Sequence, residues 1–263
     1  MNIVGHVESL WRYPVKSMRG EELEEAFVGF AGVYGDRIYA FHDTRAPKGF
    51  PYLTGREQQQ MLLYQPAFRH PEPMAKPPNQ ADAEALAPGV TPVYADSAAR
   101  TVNVTTPAGE VLAIDDPELI SKLREGIRSE HELTLLRSDR AMTDCRPVSL
   151  FSLQTVRQLS EESGVNLDKR RFRANVYVDL ASAGGFAENE FVGRRLRIGA
   201  KAVIAVVDRD PRCKMITLDP DSAQANPDVM KTLARTHESK AGVYAAVLVE
   251  GTIRAGDDIA QLD

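Results

Sequence analysis

Apolar and β-branched residues along this chain come mostly in short runs, each cut off by glycine, proline or charge. Val4 to Tyr13 is the first run, and Pro14 stops it at a turn holding Lys16, Ser17 and Arg19. Glu21 to Phe30, partly charged and carrying Leu23, Phe27 and Val28, reads as an edge strand. Gly32 to Arg37 is a turn, and Ile38 to His42 alternates into another strand. A short strand is predicted at Val93-Tyr94, then a hairpin of Thr101–Thr106 and Val111–Ile114 turning at Pro107–Glu110. Leu133–Leu136, Val176–Asp179, Arg195–Ile198, Ala202–Val207, Gly242–Val249 and Ile259–Leu262 complete the strands. Helical spacing is confined to a few stretches. Pro117 opens one that runs to about Arg128, with Leu119, Ile120, Leu123 and Ile127 on one face. Ser152 caps a second, which ends at Ser163 before Gly164, and Asn226-Pro227 starts a third that runs to about Thr236. The fold class is therefore mainly β, formally α+β: a β-barrel with a few helices rather than a doubly wound sheet. The new strand at Leu133 places a domain boundary near 130, giving an N-terminal β-rich domain (1–130) and a C-terminal barrel domain (131–263).

Composition narrows the class of molecule. A chain of 263 residues buries a substantial core as one large or two small domains. At 43% hydrophobic and 26% charged residues it is an ordinary globular chain, and its net charge of −5 argues against nucleic acid as a partner. No apolar run approaches the roughly 18 residues of a membrane span. Met1 to Glu8 lacks the basic and apolar blocks of a secretory leader. The two cysteines, Cys145 and Cys213, form no CxxC pair and no zinc-spaced cluster. A cytoplasmic setting is expected, and the chain alone is too poor in cysteine for a four-cysteine iron–sulfur cluster. Seven of the sixteen prolines fall between Pro66 and Pro92 with little hydrophobic pattern between them, which predicts a long, stiffened surface loop.

Candidate chemistry concentrates after the Ala202–Val207 run. There the chain breaks into charge and proline, presents Cys213 between Arg212 and Lys214, and turns again at Asp219-Pro220-Asp221. Flanking cations favour an ionised thiol, whereas free cysteine is also among the most buried residue types, so the local residues leave both readings open. Lys169, Arg170, Arg171 and Arg173 form a basic block before Asn175, out of character in a net-acidic chain. In an extended segment Arg171, Arg173 and Asn175 project from one side and make a receptor for an oxyanion or phosphate. Ser149, Ser152 and Thr155 gather at a helix start, where ordinary capping and anion binding are both served. Arg37 stands where a turn becomes a strand. The turn from Gly184 to Phe191 brings Glu188 and Glu190 towards the same cations. Asp208, Asp210 and Asp219 are candidate acids that turn formation explains equally well.

Six segments, in order, carry a family resemblance: Tyr13-Pro-Val-Lys-Ser17, Gly35-Asp-Arg37, Arg171-Phe-Arg-Ala-Asn175, Phe186-Ala-Glu-Asn-Glu190, Arg212-Cys213 with Thr217-Leu-Asp-Pro-Asp221, and Gly251 to Asp257. Ala174 stands where the family pattern has proline. Together they make the chain resemble molybdenum cofactor sulfurase C-terminal (MOSC) domain proteins with the associated N-terminal β-rich region, the group that includes the mitochondrial amidoxime reducing component. The resemblance implies a molybdenum-pterin cofactor whose metal takes the Cys213 thiolate. It implies that Lys16, Ser17, Arg37 and Arg173 hold phosphate and pterin, with Asn175, the Ser152 region and Tyr244 completing the cradle beside Arg171 and Arg212. It also implies that about the first 40 residues pack with the C-terminal barrel. The activity implied is reduction of N-hydroxylated or N-oxide small molecules, with electrons from a separate flavin, haem or iron–sulfur donor protein. The alternative is a module that carries cofactor or persulfide sulfur on Cys213, working with a pyridoxal-phosphate desulfurase.

Overall fold

The structure, a computed structural model, describes residues 2–85, 93–127 and 131–262. Its first half contains β1 (Asn2–Arg12), β2 (Glu21–Leu23), β3 (Glu25–Gly29), β4 (Gly32–Val33), β5 (Tyr39–Asp43), β6 (Gln65–Phe68), α1 (Pro71–Ala75), α2 (Gln80–Ala85), β7 (Val102–Thr105), β8 (Val111–Ala113) and α3 (Pro117–Arg124). The second half contains β9 (Leu133–Arg137), β10 (Val148–Ser152), α4 (Leu153–Ser163), β11 (Val176–Leu180), β12 (Arg195–Ile198), β13 (Ala202–Pro211), α5 (Pro227–His237), β14 (Lys240–Val249), β15 (Gly251–Arg254) and β16 (Asp258–Leu262). The fold is mainly β, as the alternation predicts.

A closed barrel runs β11-β10-β14-β13-β12-β16-β1 and back to β11. The N-terminal strand β1 closes it, antiparallel to β16 on one side and to β11 on the other. Closure leaves no unpaired strand edge around the ring. Inward residues of every strand, among them Val7, Leu150, Val178, Leu196, Ile204, Val243 and Ile259, fill the barrel. Gly5 is needed where β1 crosses β11, because a Cβ there would lie 2.4 Å from the Asp179 carbonyl oxygen. A second core lies outside the barrel, where β5–β9, β6-β7-β8 and α3 surround Phe27, Ile38, Phe41, Leu53, Met61 and Val104. Helices α4 and α5 bury a third cluster around Phe151, Leu159, Phe172 and Leu233.

Several local expectations give way to tertiary contacts. Glu21–Phe30 is not one edge strand: β2 pairs with β1, while β3 is the middle strand of β15-β3-β4 and buries Ala26, Phe27 and Val28. Val93-Tyr94 forms no strand; Tyr94 stacks on Tyr34 with ring centroids 4.7 Å apart. The proline-rich stretch holds part of β6 and all of α1 and α2, because Pro71 starts a helical turn and Met74 finds a fully buried seat. Its residues 86–92 lie outside the described residues. Helix α3 ends at Arg124, before Gly126 takes a φ of +80°; Arg128 and the expected boundary at 130 also lie outside. Strand β13 continues through charge to Pro211, because β14 extends alongside it and pairs Asp208 with Tyr244 and Arg209 with Val243. Bulges along this pairing absorb the irregular residues.

Candidate functional site

Turns from both halves converge on one cavity with about 750 Å³ of empty space, its open mouth included. Its wall contains Lys16, Ser17, Arg37, Arg171, Arg173, Asn175, Arg212, Cys213 and Tyr244. Asp210, Asp144, Ser149, Phe50, Arg56 and Arg146 join them. Of the cofactor-binding residues that the resemblance implies, Ser152 alone is missing from this wall.

The backbone around the cavity is unusual. Ser17, Arg37 and Arg173 line it with φ of 66°, 47° and 53°, a region that side chains other than glycine rarely adopt. Each such residue costs of order 1 kcal/mol, and they cluster where a structure holds a ligand. The basic block does not enter its strand by alternation. Lys169–Phe172 is a 3₁₀ turn, its first turn capped by Asp168, and left-handed Arg173 redirects the chain. This turn, rather than strand spacing, brings Arg171, Arg173 and Asn175 to the cavity.

Most of the cations are already engaged by protein groups. Arg37 pairs with buried Asp36 and donates from Nη2 to the Arg173 carbonyl at 2.9 Å. Burial works against its charge, yet Asp36 outweighs that effect and raises its pKa. Lys16 pairs with Asp144 and donates to the Met142 carbonyl at 2.8 Å, its ammonium 5.0 Å from the Phe50 ring centre and 4.8 Å from that of Tyr52. Burial lowers its pKa, and Asp144 opposes the shift. Arg171 donates to the Thr217 carbonyl and to Asp219, both at 2.9 Å, tying the basic turn to the cysteine loop. Asn175 accepts from the Ser149 backbone N–H at 3.2 Å and donates to the Trp11 carbonyl at 3.3 Å, so it braces the wall.

Arg173 differs. Its guanidinium lies 4.4 Å from the Tyr13 ring centre, with Arg37 4.6 Å from the same ring. Its Nη2 is buried without a hydrogen-bond partner, as are Arg171 Nε and Arg212 Nη2, but those two arginines are anchored through their other nitrogens. Burial, with Arg37 as a like charge nearby, lowers its pKa to about 10. Two guanidiniums on one ring with a donor left over form a receptor for an anion.

Cys213 is half-buried and precedes the 3₁₀ turn Lys214–Thr217. The cations beside it in sequence are turned elsewhere. Arg212 donates from Nε to the Ala241 carbonyl at 2.7 Å and from Nη1 to the Phe172 carbonyl at 2.8 Å, and its Nη2 lies 2.7 Å from Asp210. Lys214 donates to the Arg56 carbonyl at 3.1 Å. Arg212 thus staples the cysteine loop to the barrel and to the basic turn. Cys145 is exposed.

Two expectations are corrected. Ser152 is fully buried at the start of α4, where its Oγ donates to Glu188 at 2.7 Å and accepts from the Thr155 N–H at 3.1 Å. Thr155 Oγ1 also donates to Glu188 at 2.8 Å. The anion at this helix start is therefore the chain's own carboxylate, and Glu188 lies away from the basic cavity. Asp208 and Asp219 are likewise absent from the cavity wall, whereas Asp210 is in it. Sequence reasoning did not single out Phe50, Arg56 or Asp144, and it named Tyr13 only as the first residue of a motif, with no role beside the cations.

Among the described residues no group of three or more His, Cys, Asp or Glu gathers to hold a bare metal ion, and no helix is long and apolar enough to cross a membrane. Residues 137–260 match the family model of the MOSC domain, and residues 4–120 match that of the MOSC N-terminal beta barrel domain. Among solved structures, the YuaD protein from Bacillus subtilis is similar at 14% identity and a TM-score of 0.49, over 98% of this chain and 94% of that one. YiiM from Geobacillus stearothermophilus is similar at 19% identity and a TM-score of 0.36, over 45% of this chain and 55% of its own. YiiM from Escherichia coli is similar at 16% identity and a TM-score of 0.32, over 45% and 55%. No curated protein matches the chain.

Proposed function

The chain belongs to the MOSC domain family, coupled to a MOSC N-terminal beta barrel domain, and on that premise we propose that its cavity holds a molybdenum-pterin cofactor and reduces N-hydroxylated or N-oxide compounds. The family is associated with molybdenum cofactor binding. The observation that carries the reading is the partnerless, buried Arg173 Nη2 in the same cavity as the Cys213 thiol, with Ser17 and Arg37 also left-handed around it.

The residues present fit such a group. A phosphate meets Arg173, Ser17 and Arg37, whose backbone strain and unpaired donor are the signs of a preformed anion seat. Cys213 offers a soft thiolate ligand for the cofactor's metal. When bound, the cofactor supplies two-electron redox chemistry at its metal. The chain itself orients the cofactor through the basic turn and holds the cysteine loop still through Arg212. Phe50 and Arg56 stand at the wall, where they meet a substrate entering from solvent. Electrons come from a separate donor protein of the flavin, haem or iron–sulfur class.

Metal analysis tests the reading. Protein made in a host that supplies the cofactor carries near-stoichiometric molybdenum, and Cys213→Ser loses it. Persistent absence of molybdenum from the wild type, with transferable sulfur found on Cys213, would instead establish a sulfur carrier.

A further inference from the structure

Reducing an N-hydroxylated compound breaks one N–O bond and consumes electrons and protons together: R2N–OH + 2 e− + 2 H+ gives R2NH + H2O. The donor protein supplies the electrons. The protons must be delivered inside a cavity whose wall is mostly cationic.

Among the described residues, that wall carries two carboxyl groups, Asp144 and Asp210. Asp144 is committed to Lys16; burial opposes its ionisation, but Lys16 outweighs this and holds its pKa below the usual aspartate value. It is therefore ionised near neutrality and has no proton to give. Asp210 is the second-to-last residue of strand β13, just before the cysteine loop, and is 2% exposed. One oxygen lies 2.7 Å from Arg212 Nη2, and Tyr244 hydrogen-bonds to the same carboxyl. Burial pushes its pKa up to about 6, against the pull of Arg212 and the Tyr244 hydrogen bond. The charged and titratable groups facing it are Arg212 from the cysteine loop, Tyr244 from β14, Asp144 from the segment before β10, and Arg37 from the turn before β5.

We propose, resting on the reductase reading, that Asp210 is the proton donor of this cavity. It gives its carboxyl proton to the departing oxygen, which leaves as water, while solvent supplies the second proton. The carboxylate left behind is held by Arg212 and Tyr244 until the cavity's water reprotonates it. Its place on the wall that also carries Cys213 puts the donor within the reacting space. A static counter-ion for Arg212 would behave differently, remaining ionised throughout and serving only to keep the loop in place.

Infrared spectroscopy of the full chain without cofactor reads the proton directly. A protonated-carboxyl band should fade as pH rises through about 6, be missing in Asp210→Asn, and have its midpoint moved upward in Tyr244→Phe, which removes a hydrogen bond to the carboxylate. In loaded enzyme, Asp210→Asn should keep its molybdenum and its KM, lose kcat by roughly 100-fold, and lose the alkaline fall of the pH profile. An Asp210 ionised across the whole range overturns the proposal, as does an Asn variant with unchanged kcat and pH profile. Loss of molybdenum from Asp210→Asn also overturns it, by making the residue a holder of the loop. If loaded wild-type protein reduces no N–O compound, the reductase reading falls and takes the donor role with it. That failure is recognisable because the infrared band of Asp210 persists.

Discussion

Arg173 brings to the cavity a guanidinium with one nitrogen buried and unpartnered, on a left-handed backbone. A buried donor without a partner costs about 1–3 kcal/mol and the backbone adds of order 1 kcal/mol, and an anion bound to Arg173 would offset both. Arg173→Ala should therefore weaken cofactor retention by roughly 10-fold or more, as a charge-assisted hydrogen bond of about 1.5–3 kcal/mol implies. Turnover per bound molybdenum should change far less. Molybdenum content after prolonged dialysis checks this, and unchanged loading would remove Arg173 from the anion seat. Arg171 shows why residue type alone is insufficient: it has the same chemistry, yet Asp219 and the Thr217 carbonyl already take its two terminal nitrogens and leave only Nε without a partner.

At the scale of elements, the start of α4 and the strand β14 make separable predictions. Glu188 receives hydrogen bonds from Ser152 and Thr155 inside the fold; in Glu188→Ala the Ser152 hydroxyl still donates to Thr155 Oγ1, but the Thr155 hydroxyl loses its acceptor, which should cost about 1–3 kcal/mol in urea unfolding. Molybdenum loading per folded molecule should not change, because this carboxylate is remote from the cavity wall; a loading defect without destabilisation would reverse the assignment. Gly242 in β14 has φ +73°, and a Cβ there would lie 2.5 Å from Phe151 Cδ2 and 3.0 Å from Arg212 Nη2. Gly242→Ala should destabilise the chain by about 1–3 kcal/mol through strain and overpacking, and also loosen the Cys213 loop by displacing Arg212. Thermal unfolding together with thiol-labelling rates of Cys213 would register both effects. The α4 cap was legible because Ser152 and Gly164 bracket an amphipathic run; its occupant was not, because Glu188 approaches from a distant turn.

For the whole molecule, barrel closure is the controlling fact. Strand β1 fills the gap between β16 and β11 and contributes Val7 and Leu10 to the barrel core. A fragment spanning 131–263 has two open strand edges and an exposed core, and should be unfolded or aggregated by circular dichroism and gel filtration. A monomeric, native-like fragment would refute this dependence. The charge network sets the acid limit. Burial opposes ionisation of Asp144 and Asp168, but Lys16 and the Arg170 hydrogen bonds respectively outweigh it, so both pKa values are lowered on folding. Each therefore contributes stability that is present above the unfolded aspartate value of about 4 and is lost as pH falls through the lower folded value. Urea midpoints measured downward from neutrality should rise as Asp210, its pKa raised to about 6, takes up its proton, and then drop below about pH 4 as Asp144 and Asp168 are protonated. A drop already complete at pH 6 would contradict it.

Alternating apolar runs, turn residues and one well-bracketed helix were enough to read a mainly β chain and to bring forward Cys213 and the basic block, since strand period and helix caps are local properties. Their roles in the cavity required the fold. Asp210 and Arg212 lie close in sequence, but whether they pair or face a ligand depends on β14 beside them. Lys16 finds Asp144, Ser152 finds Glu188 and Arg171 finds Asp219 only because the fold brings segments far apart in sequence together. Sequence supplies the donors and acceptors; hydrogen bonds and ion pairs act over a few ångströms, so only the tertiary structure decides which are satisfied and which nitrogens of Arg171, Arg173 and Arg212 are left without a partner.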